Sequence, residues 1–208
     1  MSKHRLLLSL VLGLSLTVPA SVAAQDDAQA SAAPAPTVAA DDTRLAELEA
    51  LVPRYFAGLP LRENMQSAPG ELLMSRMDDD ERAVFEAMLA AHGREVSDYA
   101  AANVPIRVDD STVIVIQPHR VAGIDAAATL DAWSRILTLD AERPAIDTVV
   151  IAGSEVVRVS DEARPDFPSL HVFAADDVVW MVVAPDETVV EEAVRMFTAT
   201  PATTSPVE

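Results

Sequence analysis

The sequence predicts an α+β domain in which an antiparallel sheet of about five to seven strands packs against amphipathic helices. Three observations lead there. The second half of the chain reads strand, strand, helix, four strands, helix, and strands joined by tight turns must run antiparallel. Thr112 to Gln117 (TVIVIQ) is β-branched and apolar on both faces, the mark of a central strand. Two amphipathic helices, starting at Asp125 and at Pro185-Asp186, need one apolar face to pack on.

Element by element, Lys3, His4 and Arg5 precede an apolar run from Leu6 to Leu16, and Thr17 to Ala24 is small and polar with Pro19 as a helix breaker. That order reads as a signal peptide for export, with Val22-Ala23-Ala24 placing cleavage before Gln25. The apolar run is about half of the roughly 20 residues that cross a bilayer. Gln25 to Asp42 is rich in Ala, Pro, Ser and Asp, with too little apolar surface to offset its ordering entropy, and reads as a disordered linker. Thr200 to Glu208 reads as a disordered tail in the same way. Residues 43–199 are left as a single domain, long enough for a proper core.

Leu45, Leu48, Leu51 and Val52 recur at helical spacing, and Pro53 ends that helix. Leu59-Pro60-Leu61 to Ser67 reads as extended, and Pro69-Gly70 opens a helical turn through Leu72, Leu73 and Met74. Asp78 to Glu81, then Val84, Phe85, Met88, Leu89 and His92 on one face, then Gly93, are cap, amphipathic helix and stop in order. Tyr99 to Val104 (YAAANV) is ambiguous: the alanines favour helix, while Pro105 and the turn Arg107 to Ser111 favour one arm of a hairpin with Thr112 to Gln117. Asp125 caps a helix with Ala127, Leu130, Trp133, Ile136 and Leu137 on one face. Two hairpins follow, turning at Ala152-Gly153-Ser154 and at Ala174 to Asp177. The last helix turns Val189, Val190, Ala193, Met196 and Phe197 inward.

Charge and composition exclude several classes of function. With 15 Lys+Arg against 33 Asp+Glu the chain carries −18, and without residues 1–24 it carries 13 positive charges, all Arg, or −20. Phosphate-backbone and anionic-membrane binding are disfavoured, since both rest on clustered cations. The excess of acid could mark a cation-binding surface; solubility of an exported chain is the preferred reading. The chain has no cysteine, which removes disulfides, thiolate zinc sites, cysteine nucleophiles and lipid-modified cysteine.

No catalytic, cofactor-binding or metal-ligating residue is assigned, and no cofactor is expected. Gly153-Ser154 lies between two strands, whereas a nucleophile elbow needs G-x-S-x-G at a strand-to-helix turn. The acids Asp78 to Glu81 are contiguous and lack the alternate spacing and glycine of a calcium loop, so capping explains them. His92, His119 and His171 have no metal-ligand spacing. His92 belongs to a helix C-terminus, and His171, alternating with Val172, is placed on the solvent side of its strand. His119, at the end of the most apolar strand, is the one candidate for an active site.

Leu51 to Leu61 (LVPRYFAGLPL), Gly70-Glu71-Leu72-Leu73, the helix from Asp80 to Leu89, Arg120-Val121-Ala122-Gly123-Ile124-Asp125 and Asp186-Glu187 follow one another in order. Over about residues 50–199 this punctuation resembles an uncharacterised family of exported bacterial proteins seen in chloroflexi and actinobacteria. The resemblance implies an α+β domain behind a signal peptide and transfers no site residue, since none is established for that family. Taken together, the sequence points to an exported, periplasmic or extracellular binding or interaction domain, with a protein or other envelope partner and without membrane insertion of the mature chain. The alternative is a hydrolytic enzyme with its site near His119.

Overall fold

The computed structural model describes residues 41–109, 112–139, 144–161 and 168–199. The expected signal peptide, the linker up to residue 40 and the tail from residue 200 lie outside the described residues, as do residues 110–111 of the first hairpin turn. Among the described residues no helix is long and apolar enough to cross a membrane.

Helix α1 (Asp41–Leu51) leads into a two-stranded hairpin, β1 (Tyr55–Phe56) and β2 (Leu59–Pro60). Its turn puts Ala57 and Gly58 at φ of 49° and 78°. The stretch read as extended from Leu59 to Ser67 is instead broken by a 3-10 turn at Arg62–Asn64. The reason is local. From that turn Arg62 reaches back to the carbonyls of Val52 (2.9 Å) and Ala50 (3.0 Å), which α1 leaves without helical partners at its C-terminus.

Next come β3 (Gln66–Pro69), the short α2 (Gly70–Met74) and α3 (Asp79–Ala91). The acidic run before α3 is a capping box: Asp78 accepts from the Asp80 and Glu81 amides, and Glu81 accepts from the Asp78 amide. Beyond α3, Gly93 takes φ +65° and reverses the chain. The segment YAAANV is strand, the first part of β4 (Tyr99–Arg107), and it pairs with β5 (Val113–Val121) as the hairpin reading required. Strand β5 does not end at Gln117; it runs on through Pro118 to Val121. The β4–β5 pairing lapses between Ala101–His119 and Val104–Ile116, beside the proline that has no N–H to give. There the buried Gln117 side chain donates to Asn103 Oδ1 at 3.1 Å.

Helix α4 (Ala126–Leu139) is capped by Asp125, which accepts from the Ala127 amide at 2.8 Å. Trp133, Ile136 and Leu137 face inward as expected, with Leu130 half-buried. Ala127 is exposed; Ala126 takes the inward place one position earlier. Two hairpins follow, β6 (Pro144–Ile151) with β7 (Ser154–Asp161), then β8 (Leu170–Ala175) with β9 (Val178–Val183), before α5 (Glu187–Thr198).

All pairings are antiparallel, and the seven-stranded sheet has the order β3-β4-β5-β9-β8-β7-β6. It is two meanders. The first, β3-β4-β5, ends in mid-sheet; α4 then carries the chain to the far edge, and β6 to β9 return until β9 pairs with β5.

The two amphipathic helices do not share a face. Helix α4 packs with α2 and α3 on one side, over Tyr99, Ala101, Val121, Val172, Val179 and Met181. Helix α5 packs with the β1–β2 hairpin on the other, over Ile114, Ile116, Phe173, Trp180 and Val182. Strands β5, β8 and β9 are apolar at odd and even positions alike, so each face needs a cover. Helix α1 covers the β3–β4 end of the α5 face, with Leu48 on Ala100 and Ala102. Fully burying a side chain such as Phe85 or Phe173 contributes roughly 1.5–3 kcal/mol.

Gly70 marks where the first helical layer meets the sheet. A Cβ there would lie 2.0 Å from the Val96 carbonyl oxygen and 3.0 Å from that of Tyr99, both backbone atoms. Gly70→Ala should therefore lower stability by at least about 2 kcal/mol, because the added methyl forces these two backbone segments apart. Urea unfolding of the two proteins checks this, and an unchanged midpoint would contradict the close approach.

Candidate functional site

The one residue singled out for chemistry, His119, lies within β5 on the α4 face and is 4% exposed. Its neighbours come from three elements. Tyr99 starts β4 and sends its hydroxyl to His119 Nδ1 at 2.7 Å. Trp133 of α4 stands edge-on to the imidazole with ring centroids 4.9 Å apart, and Phe85 of α3 closes on Tyr99 at 4.6 Å and on Trp133 at 5.8 Å. These four rings are the aromatic heart of that layer. Tyr99 and Trp133 were not marked as site residues in the sequence, where each reads as one more large side chain; the 20-residue separation of Tyr99 from its partner gave no local signal.

The electrostatics follow from burial. Desolvation pushes the His119 conjugate acid down to about 3 and the Tyr99 phenol up, so both are neutral throughout the physiological range. An imidazole held that low is a poor general base at neutral pH. His119 Nε2 and Trp133 Nε1 make no hydrogen bond among the described residues. Both side chains line a cavity of about 10 Å³, closed further by Leu73, Met77 and Gln117, with room for about one water molecule. His119 is thus a packed core group paired with Tyr99.

His171, expected on the solvent side, is 2% exposed. Alternation was a poor guide because α5 covers that face of β8, and directly opposite His171 stand Arg158 of β7 and Val182 of β9. Burial first, and the nearby Arg158 charge second, hold its conjugate acid below the usual range; Glu187 and the Ser169 and Val182 carbonyls oppose this weakly. Arg158 is itself held by Asp147 across the strand (2.6 Å) and by Glu187 at the start of α5 (3.3 Å). The row Asp147–Arg158–His171 is therefore a charged rim around a neutral buried ring. His92 is the exposed C-cap of α3, where the sequence placed it. It borders an open groove of about 420 Å³ between α3 and α4, lined by Ala87, Met88, Ala91, Ala128 and the ion-paired Asp131 and Arg135. The three histidines are brought to separate places. Among the described residues no three His, Asp or Glu side chains gather as they would around a metal ion.

Surface left open lies at the β6–β7 end of the sheet. On the α4 face Thr148, Val150 and Glu155 are exposed and Ile146 and Val157 are half-buried; Val150, at 73%, is the most exposed large apolar side chain among the described residues. Beyond β6, no described residue pairs with its outer edge.

The buried neutral state of His119 links protons to folding. The unfolded chain takes up a proton near pH 6.5, while the folded chain resists it down to about 3, so stability is fully present above 6.5 and is lost as pH falls toward 3. At pH 5 the loss from this one group is about 2 kcal/mol. Urea unfolding at pH 7 and pH 5 should show it, with His119→Gln removing that share and leaving the same-signed part from His171. A His119 resonance that titrates between pH 5 and 7 would contradict the assignment.

Compared with family models, with curated proteins and with solved structures, the chain matches none.

Proposed function

We propose that the protein is an exported, non-enzymatic interaction domain that works at or outside the cell envelope by docking a protein partner on the open β6–β7 end of its sheet. The observation that carries this reading is a contrast. The polar side chains best suited to chemistry, His119, Tyr99 and Gln117, are consumed inside the core around a cavity too small for a substrate. The end of the sheet, by contrast, leaves Val150 in solvent and a strand edge with which no described residue pairs.

Export is supported by the basic, apolar, small-residue order of residues 1–24, and by the punctuation over residues 50–199 that resembles exported bacterial proteins. The net charge of −18 favours a partner that is not itself strongly acidic. The hydrolytic alternative at His119 requires a reachable base, and the burial of that residue weighs against it.

Immobilised protein exposed to envelope and culture-supernatant extracts should retain a specific partner, and Val150→Lys should reduce retention at least tenfold. The substitution adds a charge at a site already in solvent, so folding is kept. Retention unaffected by Val150→Lys would place docking elsewhere, and a hydrolytic activity abolished by His119→Gln would overturn the reading.

A further inference from the structure

Strand β6 is a long sheet edge, blunted only by Pro144 at its start and by the single charge of Asp147. It is eight residues long, and its register with β7 runs unbroken from Pro144–Asp161 to Ile151–Ser154 without a bulge. The opposite edge, β3, has four residues, ends in Pro69 and has α1 beside it, where Ser67 bonds Glu49. The one charge along β6, Asp147, is drawn sideways to Arg158 on β7.

The hairpin turn fixes which backbone groups of β6 point outward. Ala152 and Gly153 have φ of 51° and 87°, a two-residue type I′ turn. Such a turn closes on a hydrogen-bonded pair, here Ile151 with Ser154, and bonded pairs then alternate down the ladder through Val149 and Asp147. The N–H and carbonyl groups of Ile146, Thr148 and Val150 are left facing away from β7.

We propose that this edge is a dimer seam, in which β6 pairs antiparallel with β6 of a second copy about a two-fold axis at Thr148. The inference rests on the interaction reading above and names the occupant of that edge. Its warrant is that β6 is self-complementary about Thr148. In that register Ile146 faces Val150 of the second copy, Thr148 faces Thr148, and Val150 faces Ile146, so the exposed apolar side chains cover one another on one face. On the other face Asp147 faces Val149, and each outward N–H meets an outward carbonyl. Charge selects this register over its neighbours. An axis at Asp147 sets two carboxylates opposite each other, and an axis at Val149 shortens the overlap.

A seam of this size is modest. Seven residues a side, Ala145 to Ile151, make a seam smaller than the ~1,200 Å² of a stable complex, so the dimer is weak and concentration-dependent. Two copies at −18 also repel, and added salt should strengthen the dimer by screening them.

Single-cysteine variants test the register cleanly, because the chain has no cysteine of its own. Under mild oxidation of the purified protein, Thr148→Cys should form a disulfide-linked dimer, since facing residues of a bonded pair stand with Cα atoms about 5.5 Å apart. Val150→Cys should not, since its two copies lie about 14 Å apart along the seam. Both sites are exposed, so both variants fold. Sedimentation equilibrium of the unmodified protein should show a concentration-dependent dimer that Val150→Lys abolishes. A monomer at all concentrations, or Thr148→Cys cross-linking no faster than Val150→Cys, would overturn the proposal. Because purified protein alone is used, such a failure leaves the capture of a different partner standing, and failed capture leaves the dimer standing.

Discussion

The pairing of β5 with β9 is the contact on which the rest of the molecule depends. It joins residues as far apart as Val115 and Val183 and is the only ladder among the described residues that links the two meanders. Forming it late in the chain carries a loop-closure cost, which the apolar side chains on both faces of both strands offset. Because Ile116 and Val182 point to one side and His119 and Val179 to the other, closing this ladder creates two apolar surfaces at once. Helix α4 and helix α5 are consequences of that, one for each face. The aromatic groups follow the same division, with Phe85, Tyr99 and Trp133 on one side and Phe56, Phe173, Trp180 and Phe197 on the other.

Arginines then fasten the outer layers to this sheet. Arg120, next to His119 on β5 but pointing the opposite way, bonds Glu47 of α1 at 2.8 Å and Asp177 of the β8–β9 turn at 2.6 Å. Arg44 ties α1 to the Ser97 carbonyl and to Asp98 (2.7 Å), and Arg82 ties α3 to the Met74 and Met77 carbonyls. A guanidinium can satisfy two acceptors with fixed geometry where an ammonium serves as a point charge. In a chain so rich in carboxylates these contacts order the surface more than they add to stability, because most of the groups remain partly in water.

Local features were legible in the sequence, and features made by distant partners were not. Asp78, Glu81 and Gly93 announce α3 because a capping box and a left-handed glycine act within one turn of the chain. The alanines of β4 left that segment open between helix and hairpin arm: Ala100, Ala101 and Ala102 are at most 3% exposed between the layers on either face of the sheet, and that burial is a tertiary fact. Strand β3 (QSAP) has no strand signature of its own and exists because β4 offers it an edge. His171 and its Arg158–Asp147–Glu187 surround were invisible for the same reason. Alternation says which residues share a face, not which faces are covered. His119 was singled out in the sequence, but the Tyr99 hydroxyl and the Trp133 ring that make it a core group come from elsewhere in the chain.

His119, Tyr99 and Gln117 are held inside the core, and in the proposed reading the edge of β6 is the surface that acts. Amide hydrogen exchange followed residue by residue at low and high protein concentration tests that division most directly. The account predicts that higher concentration slows exchange at Ile146, Thr148 and Val150, whose N–H groups face outward, and leaves Asp147 and Val149, bonded to β7, unchanged. Exchange at Ile146, Thr148 and Val150 that is slow and independent of concentration would contradict it.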